Sequence, residues 1–282
     1  MRIDQYRHTV LFYFLATVIP WGCWIIAGYF SHHEGSANVL WGSGLGFLGL
    51  VTPAVISIAL VAGNPTLRAD VLGRLISLRN VPVLYLAVAC LLMLASILLA
   101  QLISLLFGYS PSQFSLAGHF SFSSGVFPVW FLLLVAPILE ELAWHSYGTD
   151  CLRRRYSLFA TSMIFAAFWG VWHVPLALIK GYYQSNLVQT GWLYSANFLV
   201  SLFPFVLLMN WLYYRTGRSI LVAIVFHVTA GYFNEIFATA PMSKVIQTGL
   251  LCILALYLMR KDPEFFFERS LDSDQVQLSR VP

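Results

Sequence analysis

Residues 126–148 read VFPVWFLLLVAPILEELAWHSYG. From Val126 to Tyr147 the run is long enough to cross a bilayer, which takes about 20 mostly apolar residues. Yet two adjacent carboxylates, Glu140 and Glu141, stand in its second half. A charged side chain at the centre of a span costs roughly 2.5–3.5 kcal/mol on insertion scales, and such residues face a bundle interior or a wet cavity. The stretch is thus either a solvated helix of a soluble protein or a membrane helix with an acidic site, and composition decides between them.

The chain has 282 residues, 59% of them hydrophobic and only 10% charged, with a mean hydropathy of +0.75. Soluble domains carry roughly 25% charged residues, so this is a membrane protein. The +4 net charge is no sign of nucleic acid, because the few basic residues lie between apolar segments. Four scattered cysteines, Cys23, Cys90, Cys151 and Cys252, form no CxxC pair and read as small buried hydrophobes. The N-terminal basic start and apolar stretch has no small-x-small cleavage site and is read as an uncleaved first span.

Eight runs are long enough to span, at residues 9–30, 39–63, 81–107, 126–147, 158–179, 192–213, 219–238 and 241–259. They predict an all-α, polytopic membrane helical bundle of about eight transmembrane helices. A single transmembrane domain would cover residues 1–259, and a polar cytoplasmic tail residues 260–282. Alternating the loops between two sides puts fourteen Lys and Arg on the side of both termini and only Lys180 and Lys244 on the other. The positive-inside rule then makes both termini cytoplasmic. The expected location is the plasma (inner) membrane of a bacterium or archaeon.

Few ionisable groups enter the spans. Glu140 and Glu141 do, as do His173 in the fifth and His227 in the seventh; Glu235 lies near a span end and is expected to reach the interface. On a helix Glu140 and Glu141 point about 100° apart. Glu141 and His145 are i,i+4 neighbours on one face. The simplest division has Glu140 facing the site and Glu141 held by His145 and other donors. Trp169 precedes His173 by one turn and would wall off its imidazole. One carboxylate and two imidazoles on three helices suit two chemistries. The carboxylate can take a proton from water beside an imidazole, or the three can ligate Zn²⁺ with one position open for water. Either yields an activated water inside a membrane, fit to hydrolyse a peptide bond. The bland readings are helix–helix hydrogen bonding by the histidines and snorkelling of the carboxylates toward Arg153–Arg155.

At this point three segments resemble a known family. EELAWHSYGTDCL (140–152) resembles the EExxxR motif of the CPBP family of intramembrane endopeptidases, which includes CAAX-prenyl proteases and bacteriocin-processing proteins. FWGVWHVPL (168–176) is similar to its FxxxH motif, with Trp169 at the Phe position and His173 as the histidine. SILVAIVFHVTAGYFN (219–234) is similar to its third motif, a His followed four residues later by Asn. The motif-bearing core covers about residues 126–240. The resemblance implies that Glu140 and His173 activate the water and that His227 helps stabilise the oxyanion. It leaves open whether a metal takes part, with Glu140, His173 and His227 as the candidate Zn ligands. The implied partners are the bilayer and a membrane-embedded or lipidated peptide or protein substrate.

Two positions depart from the pattern. The motif arginine is His145, which offers Glu141 a shorter and pH-dependent partner. The motif asparagine is Gly231, and loss of one oxyanion donor typically costs about 10²–10³ in rate. Asn234 lies on the same face but about 4.5 Å further along the axis, so it would substitute only on a displaced or broken helix; Asn197 in the sixth span is another candidate donor. These departures keep a second reading open, a catalytically impaired relative acting as a membrane binding, immunity or regulatory protein. A third, a proton- or ion-coupled transporter, would favour two related halves, and the sequence shows no repeat.

Overall fold

The computed structural model describes residues 3–78 and 81–269. Arg2, Arg79, Arg280 and the rest of the tail at 270–282 lie outside the described residues. Among the described residues, seven helices are long and apolar enough to cross a membrane, and an eighth apolar helix is shorter. The chain runs α1 (Thr9–Ser31), α2 (Ser36–Ala62), α3 (Pro65–Leu75), α4 (Val83–Leu105), α5 (Val129–Ala143), a π turn (Trp144–Gly148) and α6 (Thr149–Arg153). It continues through α7 (Leu158–Trp172), a 3₁₀ turn (Val174–Leu178), α8 (Tyr183–Thr190), α9 (Trp192–Arg215), α10 (Ile220–Ile236), α11 (Pro241–Lys261) and α12 (Pro263–Phe267). The protein is thus the expected all-helical, multi-pass bundle. All four cysteines are free thiols.

Four short helices, α3, α6, α8 and α12, fall outside the eight predicted spans. In α3, Asn64 accepts from the amides of Thr66 and Leu67, and Pro65 sits where a missing N–H costs nothing. With Arg68, Asp70 and Arg74 within its three turns, this helix is too polar and too short to span. The fifth span runs Leu158–Leu178, close to the prediction, but only its first part is α-helical. Pro175 cannot continue the ladder, so α7 stops at Trp172 and the chain tightens into a 3₁₀ turn.

The helices associate through aromatic and small residues more than through polar pairs, as lipid offers little hydrophobic drive. α1 packs along α2, α5 lies between α2 and α10, α7 packs on α9, and α4 is flanked by α10 and α11. Trp24 of α1 donates to the Gly46 carbonyl at 3.0 Å. Any Cβ on Gly49 would fall inside its indole, so glycine lets α1 and α2 approach closely. Trp172 donates to the Ala16 carbonyl at 2.8 Å and ties α7 to α1.

The two ends of the bundle identify themselves by their own hydrogen bonds. At one end, the N-terminal segment, α3, α6 and the α9–α10 turn meet: Tyr6 donates to Asp70 at 2.7 Å and Arg218 pairs with both Asp70 and Asp150. Eleven of the described Lys and Arg residues lie at this basic end. At the other, loop end, Ala117 N–H donates to Ile236 at 2.8 Å and Ser123 N–H to Gly181 at 2.9 Å. There Lys180 N–H also donates to Ser31 at 2.9 Å. Of the described Lys and Arg residues, only Lys180 and Lys244 lie at that end.

Candidate active site

Glu140 and Glu141 occupy the last turn of α5, just before the π turn. Both are buried, at 7% and 0% exposure, and neither reaches the arginines of residues 153–155. The helix turns them apart as expected. Glu140 Oε2 accepts from the Trp169 indole at 2.8 Å and more distantly from Trp144 at 3.4 Å. No described side chain bonds its other oxygen, and Glu140 lines a cavity of about 390 Å³. Both oxygens of Glu141 are taken. Oε1 accepts from His227 Nδ1 at 2.7 Å, and Oε2 meets His145 Nδ1. The second carboxylate therefore serves two imidazoles, one predicted and one not.

The histidine tautomers follow from their partners. His173 Nδ1 faces the Trp169 carbonyl at 2.7 Å. A carbonyl only accepts, so Nδ1 carries the proton and a neutral ring keeps its Nε2 lone pair free. His227 likewise presents Nδ1–H to Glu141, leaving Nε2 as its free edge. Both residues line the same cavity as Glu140. Trp169 stands between the rings, edge-on to His173 at 5.3 Å and to His227 at 5.2 Å. It thus does more than wall off His173: its indole holds Glu140 and its carbonyl sets the tautomer of His173.

Several contributors escaped the sequence reading. Asn210 of α9 is fully buried. Its Oδ1 lies 2.9 Å from His145 Nε2, and its amide donates to Ser162 at 2.9 Å. The signal was present, a second asparagine beside Asn197 in one apolar span, but its partner is 65 residues away. Tyr182 lines the cavity wall. Burial, and then the Glu140 charge, push its phenol well above the usual range, so it stays a neutral O–H donor. Glu235 does not reach solvent as expected. It is 5% exposed, accepts from the Ser121 amide at 2.9 Å and lies 3.6 Å from Lys244.

Gly231 also lines the cavity. A Cβ there would meet only Leu133 Cδ2, at 3.7 Å, which is ordinary contact, so the position has room for a side chain. α10 runs unbroken through Gly231, so nothing shifts Asn234 back to that level. Asn234 does line the cavity, and its amide donates to Tyr183 and Glu235, both at 3.3 Å. Asn197 is not among the lining residues. Among the described residues, no group of three or more His, Cys, Asp or Glu side chains is arranged to hold a metal ion.

A buried carboxylate with one open oxygen and two imidazoles with free Nε2 edges, on three helices around one cavity, is an arrangement that can activate water. The family described as "Type II CAAX prenyl endopeptidase Rce1-like" matches residues 122–233. The chain is also similar to CAAX prenyl protease 2 of Methanococcus maripaludis, at 36% identity over 270 residues, covering 95% of this chain and 99% of that protein. On sequence, helical architecture and motif order together, the chain belongs to the CPBP family of intramembrane endopeptidases.

Proposed function

We propose that this integral membrane protease hydrolyses a peptide bond of a membrane-associated or prenylated substrate with a water activated by Glu140 and His173, and that it needs no metal. The observation that carries this reading is the pair of open acceptors, one oxygen of Glu140 and His173 Nε2, on one cavity. A water between two acceptors donates a hydrogen to each and turns a lone pair toward the substrate carbonyl. Glu140 then takes the proton as the water oxygen bonds to the carbonyl carbon, and the carbonyl π pair moves to its oxygen. When the tetrahedral intermediate collapses, the C–N bond breaks and the leaving nitrogen takes the proton from Glu140.

His227 is suited to the oxyanion. Glu141 balances an imidazolium there, whose Nε2–H would donate into the cavity where negative charge develops. Tyr182 is a second neutral donor in the same wall. Metal-independence is supported by the donor set, since among the described residues no three His, Cys, Asp or Glu side chains converge as a ligand group. The test is cleavage by purified protein: wild type cuts, and Glu140→Gln, which keeps the shape but cannot accept the proton, does not.

Gly231 favours a second reading, a weakened or silent relative that binds a membrane peptide without cutting it. Wild-type protein with no activity that gains it through Gly231→Asn would favour that reading.

A further inference from the structure

Behind the active site, His145, Asn210 and Ser162 form one line of polar side chains. All three are fully buried, and none of them lines the cavity. Their donors and acceptors can be assigned from one end. The Ser162 hydroxyl donates to the Leu158 carbonyl at 2.9 Å, so its oxygen accepts from the Asn210 amide, also at 2.9 Å. That fixes the orientation of the amide: its nitrogen faces Ser162, and its oxygen faces His145 Nε2 at 2.9 Å. An amide oxygen only accepts, so Nε2 carries a proton.

The other nitrogen of that ring meets a second acceptor. Nδ1 faces Glu141 Oε2, and Glu141 takes a further donor, His227 Nδ1, on Oε1. Donors on both oxygens favour the ionised carboxylate, which has no proton to give. His145 therefore donates from both nitrogens, which only an imidazolium does. In this it differs from His173, whose Nδ1 proton goes to a carbonyl and whose Nε2 has no acceptor facing it. Tyr213 packs edge-on against the His145 ring at 4.6 Å and brings no formal charge. Among the described residues no Lys or Arg pairs with Glu141; its ion-pair partners are His145 and His227.

We propose that Asn210 and Ser162 hold His145 as a buried imidazolium, and that His145 is a positioning residue whose charge, beyond its shape, supports catalysis. The effect on rate rests on the hydrolytic reading above; the charge state does not. With His145 charged, the carboxylates of Glu140 and Glu141 are matched by two imidazoliums, His145 and His227. When Glu140 takes the proton from water, its negative charge passes to the substrate oxygen beside His227, and the site stays neutral. With an uncharged residue at 145, Glu141 has His227 as its one cation. Its unmatched charge then repels the oxyanion forming at the other edge of that ring. The oxyanion exists only after substrate has bound, so the loss falls on kcat more than on KM.

The test has two parts, both on the full-length purified protein. Histidine-selective ¹⁵N labelling reads the ring nitrogens by NMR, and the signal of residue 145 is the one missing from His145→Gln or His145→Arg. The proposal expects two protonated ring nitrogens at residue 145 at neutral pH; one bare nitrogen overturns it. This measurement needs no turnover, so an inactive wild type would sink the hydrolytic reading and leave the charge state standing. The second part is cleavage of a lipid-anchored peptide. His145→Gln keeps polar contacts but no charge, and should lower kcat by about 10²-fold with KM little changed. His145→Arg, always cationic, should run at least about 10-fold faster than His145→Gln. A His145→Gln protein with the wild-type kcat, or a folded His145→Arg protein no faster than His145→Gln, overturns the role of the charge. If the arginine is too large for the protein to fold, the ring spectrum and the kcat of His145→Gln decide.

Discussion

The two ends of this bundle spend their polar residues differently. At the basic end, Arg74, Arg218, Asp70 and Asp150 neutralise one another among Tyr6, Tyr213 and Tyr214, and all but the half-buried Asp70 are buried. At the loop end, serines, glycines and a lysine edge an opening that runs down to Glu140. Charge at the first end fixes helices to one another, and the second leaves a cavity open. A membrane protein with few ionisable groups can afford both only by segregating them, and the active carboxylate sits where the path meets the packed half.

That contrast can be broken from either side. Asp150→Asn removes the carboxylate that two buried guanidiniums share and should destabilise the fold by about 3–5 kcal/mol. Lys180→Ala at the rim should stay within about 0.5 kcal/mol, both read by unfolding in detergent. Equal effects would erase the distinction between a structural and an open end. Gly231→Asn puts an amide donor into space already present and should raise the cleavage rate by about 10²-fold with no loss of stability; an unchanged rate would mean that Tyr182 or another donor already fills that role. Asn210→Ala strips His145 of its Nε2 partner and should cost about 1–3 kcal/mol, with a loss of activity through Glu141 and His227. The smallest effect is expected from a chelator, which should leave the rate of the purified protein unchanged.

Much of the fold was legible because a span is a local property. Each apolar run of about 20 residues announced a helix, and the charge asymmetry between loops checked the count. The misses have physical causes. α3 and α8 are too short and polar to register by hydropathy, and the π turn after Ala143 reflects tertiary packing, with Gly148 so close to Phe12 that a Cβ would lie 2.7 Å from its ring. The site was legible where its residues are rare in membranes, which picked out Glu140, His173 and His227. What the sequence could not convey was who holds whom. Glu141 bonds His227 across 86 residues, and His145 leans on Asn210 across 65. Asp150 falls just outside the predicted run 126–147, and nothing in its local sequence marks the two guanidiniums and two phenols that meet it.

The most direct measurement compares cleavage rates of purified wild type and Glu140→Gln, reconstituted in liposomes with a lipid-anchored peptide carrying an extended terminus. With Glu140 as the base, wild type cleaves and Glu140→Gln loses activity by at least about 10² while its unfolding midpoint is unchanged. A Glu140→Gln protein that cuts at the wild-type rate would contradict the assignment of this cavity as the active site.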